Sequence, residues 1–140
     1  MLDAIEYSTK HFFKHIIKSN IVVKDKLEKS QYYGASITLS DSEKECNCYL
    51  MFQTDTLHFL ADKLELKLEG DSDMSDLLKE VANQIIGYAK RLLADAYDDY
   101  SISVPEFLGK VDKFNLPYTH EFIYSMENHT FCIAIVVKDK

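Results

Sequence analysis

The run from Ser75 to about Tyr97 is the longest helical stretch in the chain, and its apolar side chains gather on one broad arc. At about 100° per residue, Leu77, Val81, Ile85, Tyr88 and Leu92 share a stripe, and Leu78, Ala82, Ala89 and Leu93 widen it. An arc that wide has to be covered, and the flat face of a sheet covers it well. Ser75, or Asp73 two residues earlier, can cap this helix, and Asp76 suits the positive end of its dipole. Residues 70 to 74, GDSDM, read as the break before it.

The rest of the chain supplies a sheet. Residues 3 to 18 have helical spacing, with Ile5, Phe12, Phe13, Ile16 and Ile17 on one side, and a strand is expected around Ile21 to Val23. YYGASITLS and CNCYLMFQ, joined by the polar DSEKE, have the pattern of a hairpin. DTLHFLADKLEL reads as a shorter helix, YSISV as a strand stopped by Pro105, and PEFLGKVDKFNLPY as an irregular crossover. The C-terminal THEFIYSM and HTFCIAIVV form the clearest hairpin, turning at Glu127 and Asn128. The expected fold class is α+β: an antiparallel or mixed sheet with helices packed on one face. A loose pseudo-repeat sets one helix before about three strands in each half. Residues 1–140 fit a single domain, long enough to bury a core without disulfides or a structural metal.

Composition removes several function classes. A hydrophobic share of 46% and a charged share of 28% suit a soluble globular chain. The net charge of −7 argues against nucleic acid, which requires a clustered basic face. No run of about 18 apolar residues suggests a membrane span, and charges interrupt the N-terminal segment too often for a signal peptide. Of three cysteines, Cys46 and Cys48 form a lone C-x-C, poor zinc spacing, so reduced thiols and a cytoplasmic location are expected. His11 and His15 are four apart, but Phe12 and Phe13 lie between them and no Glu follows His11; they read as ordinary helix residues, with no metal site expected. There is no Gly-rich phosphate loop and no recognisable Ser or Cys nucleophile.

Opposite the apolar arc of the long helix, Asp76, Glu80, Asn83 and Gly87 fall together at spacings of three, four and seven. Lys79, Lys90 and Arg91 flank them. A glycine inside a helix costs roughly 1 kcal/mol relative to alanine, and on this face core packing does not account for it. Its missing side chain lets another backbone or a ligand come close. A carboxylate there can pair with a cation. A carboxamide donates and accepts hydrogen bonds and can direct a water, although it cannot act as a general base. A solvated stripe with one tolerated glycine fits the same pattern.

The set Asp76-x-x-x-Glu80-x-x-Asn83, with Gly87 four residues on and Pro105 further downstream, resembles the signature of the CheC/CheX/FliY phosphatases of bacterial chemotaxis. The likeness extends over most of the chain in its order of helix, hairpin, signature helix, strand, proline and hairpin. Pro105 stands one residue closer to Asn83 than in the family pattern, which leaves the loop geometry open. The resemblance implies a phosphatase that removes the phosphoryl group from a phosphorylated CheY-type receiver. Glu80 would form a salt bridge to the receiver's lysine, and Asn83 would align the attacking water. Asp76 and Gly87 would serve the partner contact. It implies no cofactor of the chain's own, with Mg2+ in the partner receiver's active site. The Glu-x-x-Asn pair occurs once, as in single-site CheX, which is typically a homodimer. A non-catalytic adaptor of the same fold, binding a receiver or flagellar-switch protein, is the alternative; a ligand-binding α+β domain without a receiver is a blander one.

Overall fold

The computed structural model describes residues 1–94, 99–111 and 117–140. Helix α1 spans Leu2–His11 and runs on into a π-helical segment, Phe12–Ile17. Strands β1 (Val22–Val23), β2 (Tyr32–Ser40) and β3 (Lys44–Gln53) follow. Then come α2 (Thr54–Lys63), α3 (Asp71–Leu93), β4 (Ser101–Ile102), β5 (Glu106–Val111), β6 (His120–Met126) and β7 (His129–Asp139). The expected helix end at Tyr97 and residues 112–116 of the expected crossover lie outside the described residues.

The strands form one sheet in the order β1-β6-β7-β3-β2-β4, with β5 also on β2, and every pairing among the described strands is antiparallel. Two hairpins therefore meet at a central β3–β7 seam, with Lys44 opposite Asp139 and Met51 opposite Cys132. Glu127 and Asn128 both take positive φ, 51° and 66°, at the turn of the C-terminal hairpin, the backbone of a type I′ turn. In the first hairpin, the Asp41 carboxylate accepts the backbone N–H of Glu43 and of Lys44, both at 2.8 Å. This also holds its pKa below the ordinary aspartate value.

Alternation along the strands sorts side chains between two faces. Ala35, Ile37, Leu39, Cys46, Cys48, Leu50, Phe52, Phe131, Ile133 and Ile135 join the helices in the main core. Phe13, from the π-helical segment, lies 4.7 Å from Phe131 and 6.5 Å from Phe52 between ring centroids. The other face carries a smaller cluster of Tyr32, Met51, Ile123, Cys132 and Ala134, with Leu27 and Tyr118 against it.

Two of the structure's corrections to the sequence expectation concern strand content and helix start. The first is the crossover after Pro105. Its opening residues form β5, paired with β2 through a bulge at which Gly34 faces Gly109 while Ala35 faces Phe107. Gly109 takes φ +72°, a backbone state that favours glycine. The second half of the chain thus contributes four strands where about three were expected, because β4 and β5 share one edge of β2. The second is α3, which begins at Asp71 and not at Ser75. The GDSDM stretch is its first turn: Asp71 and Asp73 lie at the positive end of the dipole, and Asp73 Oδ2 accepts the Glu69 N–H at 2.9 Å.

A polar clamp fastens residues around Glu28 to the end of β3. The Glu28 N–H donates to Thr130 Oγ1 at 3.0 Å, and the Tyr32 hydroxyl donates to the Glu28 carbonyl at 2.6 Å. Glu28 Oε1 accepts from the Gln53 amide, and from the Thr130 N–H at 3.3 Å. His129 lies between Glu28 Oε1 at 3.9 Å and Asp55 Oδ2 at 3.5 Å. The Gln53 amide is the main cause holding the Glu28 carboxyl below its ordinary value; partial burial opposes this, and Thr130 and His129 reinforce it. A depressed folded-state pKa means stability that is present above the unfolded value and lost as pH falls through the folded one. In urea unfolding, the stability gap between wild type and Glu28→Gln is expected to be widest at neutral pH. It should shrink as pH drops below about 4.3, the ordinary glutamate value; a gap independent of pH would refute the carboxylate's role.

Candidate functional site

The buried face of α3 consists of Met74, Leu77, Leu78, Val81, Ala82, Ile85, Ile86 and Ala89. A side-chain bond from α1 fixes the same orientation: the Ser8 hydroxyl donates to the Ile85 carbonyl. With that face against the sheet, the opposite side of the helix turns outward. Asp76, Glu80 and Asn83 are exposed, as their spacing requires. Gly87 is half-buried, yet a Cβ built on it would meet nothing within 4 Å. Among the described residues, no side chain takes up the clearance above Gly87.

Two assignments on the helix change. Asp76 lies in the second turn, because the helix starts at Asp71, so it is not the charge at the helix terminus. Tyr88 and Leu92, expected in the apolar stripe, are not core residues. Leu92 is 38% exposed. Tyr88 is drawn onto α1, where it stacks on His11 at 4.3 Å and 7°, with the Arg91 guanidinium 5.2 Å from its ring. His11 thus packs on an aromatic ring, and His15 lies 4.6 Å from it by ring centroid.

Sequence reasoning passed over two features of the site. The Gln84 amide donates to Glu80 Oε1 at 2.8 Å, a contact that the four-residue spacing could have indicated. Next to it, Leu64, Leu66 and Lys67 from the connection after α2 face Asp73, Asp76, Leu77, Glu80 and Gln84 across a groove of about 470 Å³. No periodicity points to that groove, since its two walls come from different segments. A larger hollow of about 570 Å³ lies between residues 24–27 and the start of β6, and holds none of the stripe residues.

Pro105 is half-buried between β4 and β5, the two strands that share one edge of β2. Chemically, the stripe offers one carboxylate for a cation, one carboxamide able to direct a water, and an unobstructed glycine one turn beyond. It has no group placed as a nucleophile.

The model of a family described as chemotaxis phosphatase CheX matches residues 33–121, well over half of the chain. The chain belongs to the CheX family. The matched CheX region includes the whole stripe and Pro105, and leaves out α1. No curated protein matches the chain in sequence. Among solved structures, CheX from Vibrio vulnificus is 15% identical and superposes with a TM-score of 0.77 over 98% of each chain. CheX from Desulfovibrio desulfuricans is 12% identical, with a TM-score of 0.70 over 97% of each chain. A chain of the CheX-CheY-BeF3-Mg2+ complex from Borrelia burgdorferi is 14% identical, with a TM-score of 0.70 over 98% of this chain and 97% of that one. At these identities the likeness establishes the α+β fold.

The open space at Gly87 gives a direct test of its cost to the free protein. Gly87→Ala should raise stability by about 1 kcal/mol, seen as a higher thermal midpoint. A lowered midpoint would mean that this chain itself needs the glycine.

Proposed function

We propose that the chain is a phosphatase acting on a phosphorylated CheY-type response regulator in chemotaxis signalling. The observation that carries this reading is the exposure of Glu80 and Asn83 on one stripe, with open space above Gly87. Membership of the CheX family supports it, as does the fold shared with the CheX-CheY complex of Borrelia burgdorferi.

In this mechanism Glu80 forms a salt bridge with a lysine of the receiver and sets the orientation of the two proteins. Asn83 enters the receiver's active site, where its carboxamide holds a water in line with the phosphorus of the aspartyl phosphate. Water attacks, the bond to the aspartyl oxygen breaks, and inorganic phosphate leaves. The chain brings no metal or cofactor of its own; the charge-stabilising Mg2+ belongs to the receiver. Phosphoryl transfer suits this division of labour, because it depends mainly on positioning and electrostatics and a neutral amide can orient the water. Asp76 lines the rim of the contact, and Gly87 lets the receiver's backbone approach. As in single-site CheX proteins, the acting form would be a homodimer, which sedimentation at micromolar concentration would detect.

Purified protein should accelerate phosphate release from a phosphorylated receiver of its own organism. Asn83→Ala should lower that acceleration by about a hundredfold, the scale of losing one preorganised catalytic contact. Glu80→Ala should act mainly on the concentration of receiver required. If wild type accelerates release from no receiver of its organism, the phosphatase reading fails; tight binding without acceleration would identify an adaptor instead.

A further inference from the structure

We propose that the groove beside Glu80 is the receiver's anchoring site, taking an apolar side chain that neighbours a basic one on the partner. The inference rests on the receiver-directed function above and adds a specificity determinant outside the stripe.

It starts with how α2 ends. Its last turn closes with Glu65 N–H on the Asp62 carbonyl at 3.2 Å and Leu66 N–H on the Ala61 carbonyl at 2.8 Å. This is a Schellman-type reversal, and Glu65 takes its left-handed position at φ 57°, where glycine is the usual residue. Around it, from the C-cap of α2 into the connection to α3, three leucines alternate. Leu64 and Leu68 pack against the core, whereas Leu66 is 45% exposed. With Leu64 and the edge of Leu77, Leu66 gives the groove an apolar floor.

The rim determines the kind of occupant. Asp73, Asp76 and Glu80 face the groove against one cation, Lys67, so the opening favours a basic segment. Asp76 and Glu80 also belong to the stripe, which makes groove and stripe one continuous surface. A partner lysine that meets Glu80 lies across the groove's edge, and an apolar neighbour of that lysine falls over the leucine floor. The Gln84 amide occupies Glu80 Oε1 at the same edge and holds the carboxylate for that pairing. An apolar anchor inside a polar rim is the arrangement that concentrates binding energy at protein interfaces.

The test uses the full chain and a receiver of the same organism, loaded with Mg2+ and beryllofluoride, titrated by calorimetry. Leu66→Ser should weaken binding about tenfold and raise KM for the phosphorylated receiver to a similar degree, with kcat little changed. Leu66→Met should retain near wild-type binding. A thermal midpoint within a few degrees of wild type excludes unfolding as the cause. If Leu66→Ser binds like wild type while Asn83→Ala still lowers turnover about a hundredfold, the groove proposal falls and the phosphatase reading stands. If Leu66→Ser alters self-association and leaves receiver affinity unchanged, the groove takes a second copy of the chain and the proposal is overturned. If no receiver of the organism binds wild type, both readings fall together.

Discussion

The rotational setting of α3 governs everything that the exposed side of the molecule can do. Leu77, Leu78, Val81, Ala82, Ile85 and Ile86 are held against the rest of the core. Turning the helix by one residue, about 100°, would bring several of these to solvent, at roughly 1.5–3 kcal/mol for each large side chain. The Ser8 bond to the Ile85 carbonyl selects the same setting from the other helix. Glu80 and Asn83 therefore point outward as the geometric remainder of core packing, carried on a packed helix and not on a loop. That rigidity is what a positioning mechanism requires, since small displacements of a water-directing group erode its effect.

Much of this was legible because it depends on periods that sequence carries openly. The 3.6-residue spacing of α3 separated its buried arc from the Asp76, Glu80, Asn83 and Gly87 stripe. The two hairpins appeared through strand alternation, and through turn residues such as Asn128, which tolerates positive φ. The misread parts are those in which a local signal is ambiguous or a tertiary one decides. GDSDM looks like a breaker, but acidic residues at the start of a helix are favoured by its dipole, and Asp73 satisfies the Glu69 N–H. β5 contains a glycine and a bulge that disrupt alternation, and pairing with β2 is what makes it a strand. Tyr88 has the period of a core residue but finds His11 on another helix. The groove at Leu66 is assembled from separate segments, and no single stretch displays it.

Under the proposed phosphatase function, the chain's contribution would be electrostatic and steric and not acid–base. The stripe would then offer a charge for docking, an amide for directing water and a gap for approach. Each is inexpensive to maintain on the surface of a stable helix. Of the stripe residues the glycine lowers the helix's own stability most, and the open space around its Cβ position means that no neighbour among the described residues obliges it to be there. A residue that weakens the free protein and is unexplained by its own packing is where stability and function are expected to diverge.

The β3–β7 seam bears on how the chain reaches this structure. Its pairings, from Lys44 with Asp139 to Met51 with Cys132, join the two hairpins at the middle of the sheet across most of the sequence. Each hairpin and helix can form from neighbouring residues, but the seam must wait for a large loop to close, which slows folding. Until β7 arrives, one side of β3 is an open edge with unpaired N–H and C=O groups beside buried-type residues such as Cys48 and Leu50. On a ribosome β7 emerges after the other described strands of the sheet, and it is the one that seals this edge. The nascent chain therefore passes through an interval in which association with other strands competes with its own completion.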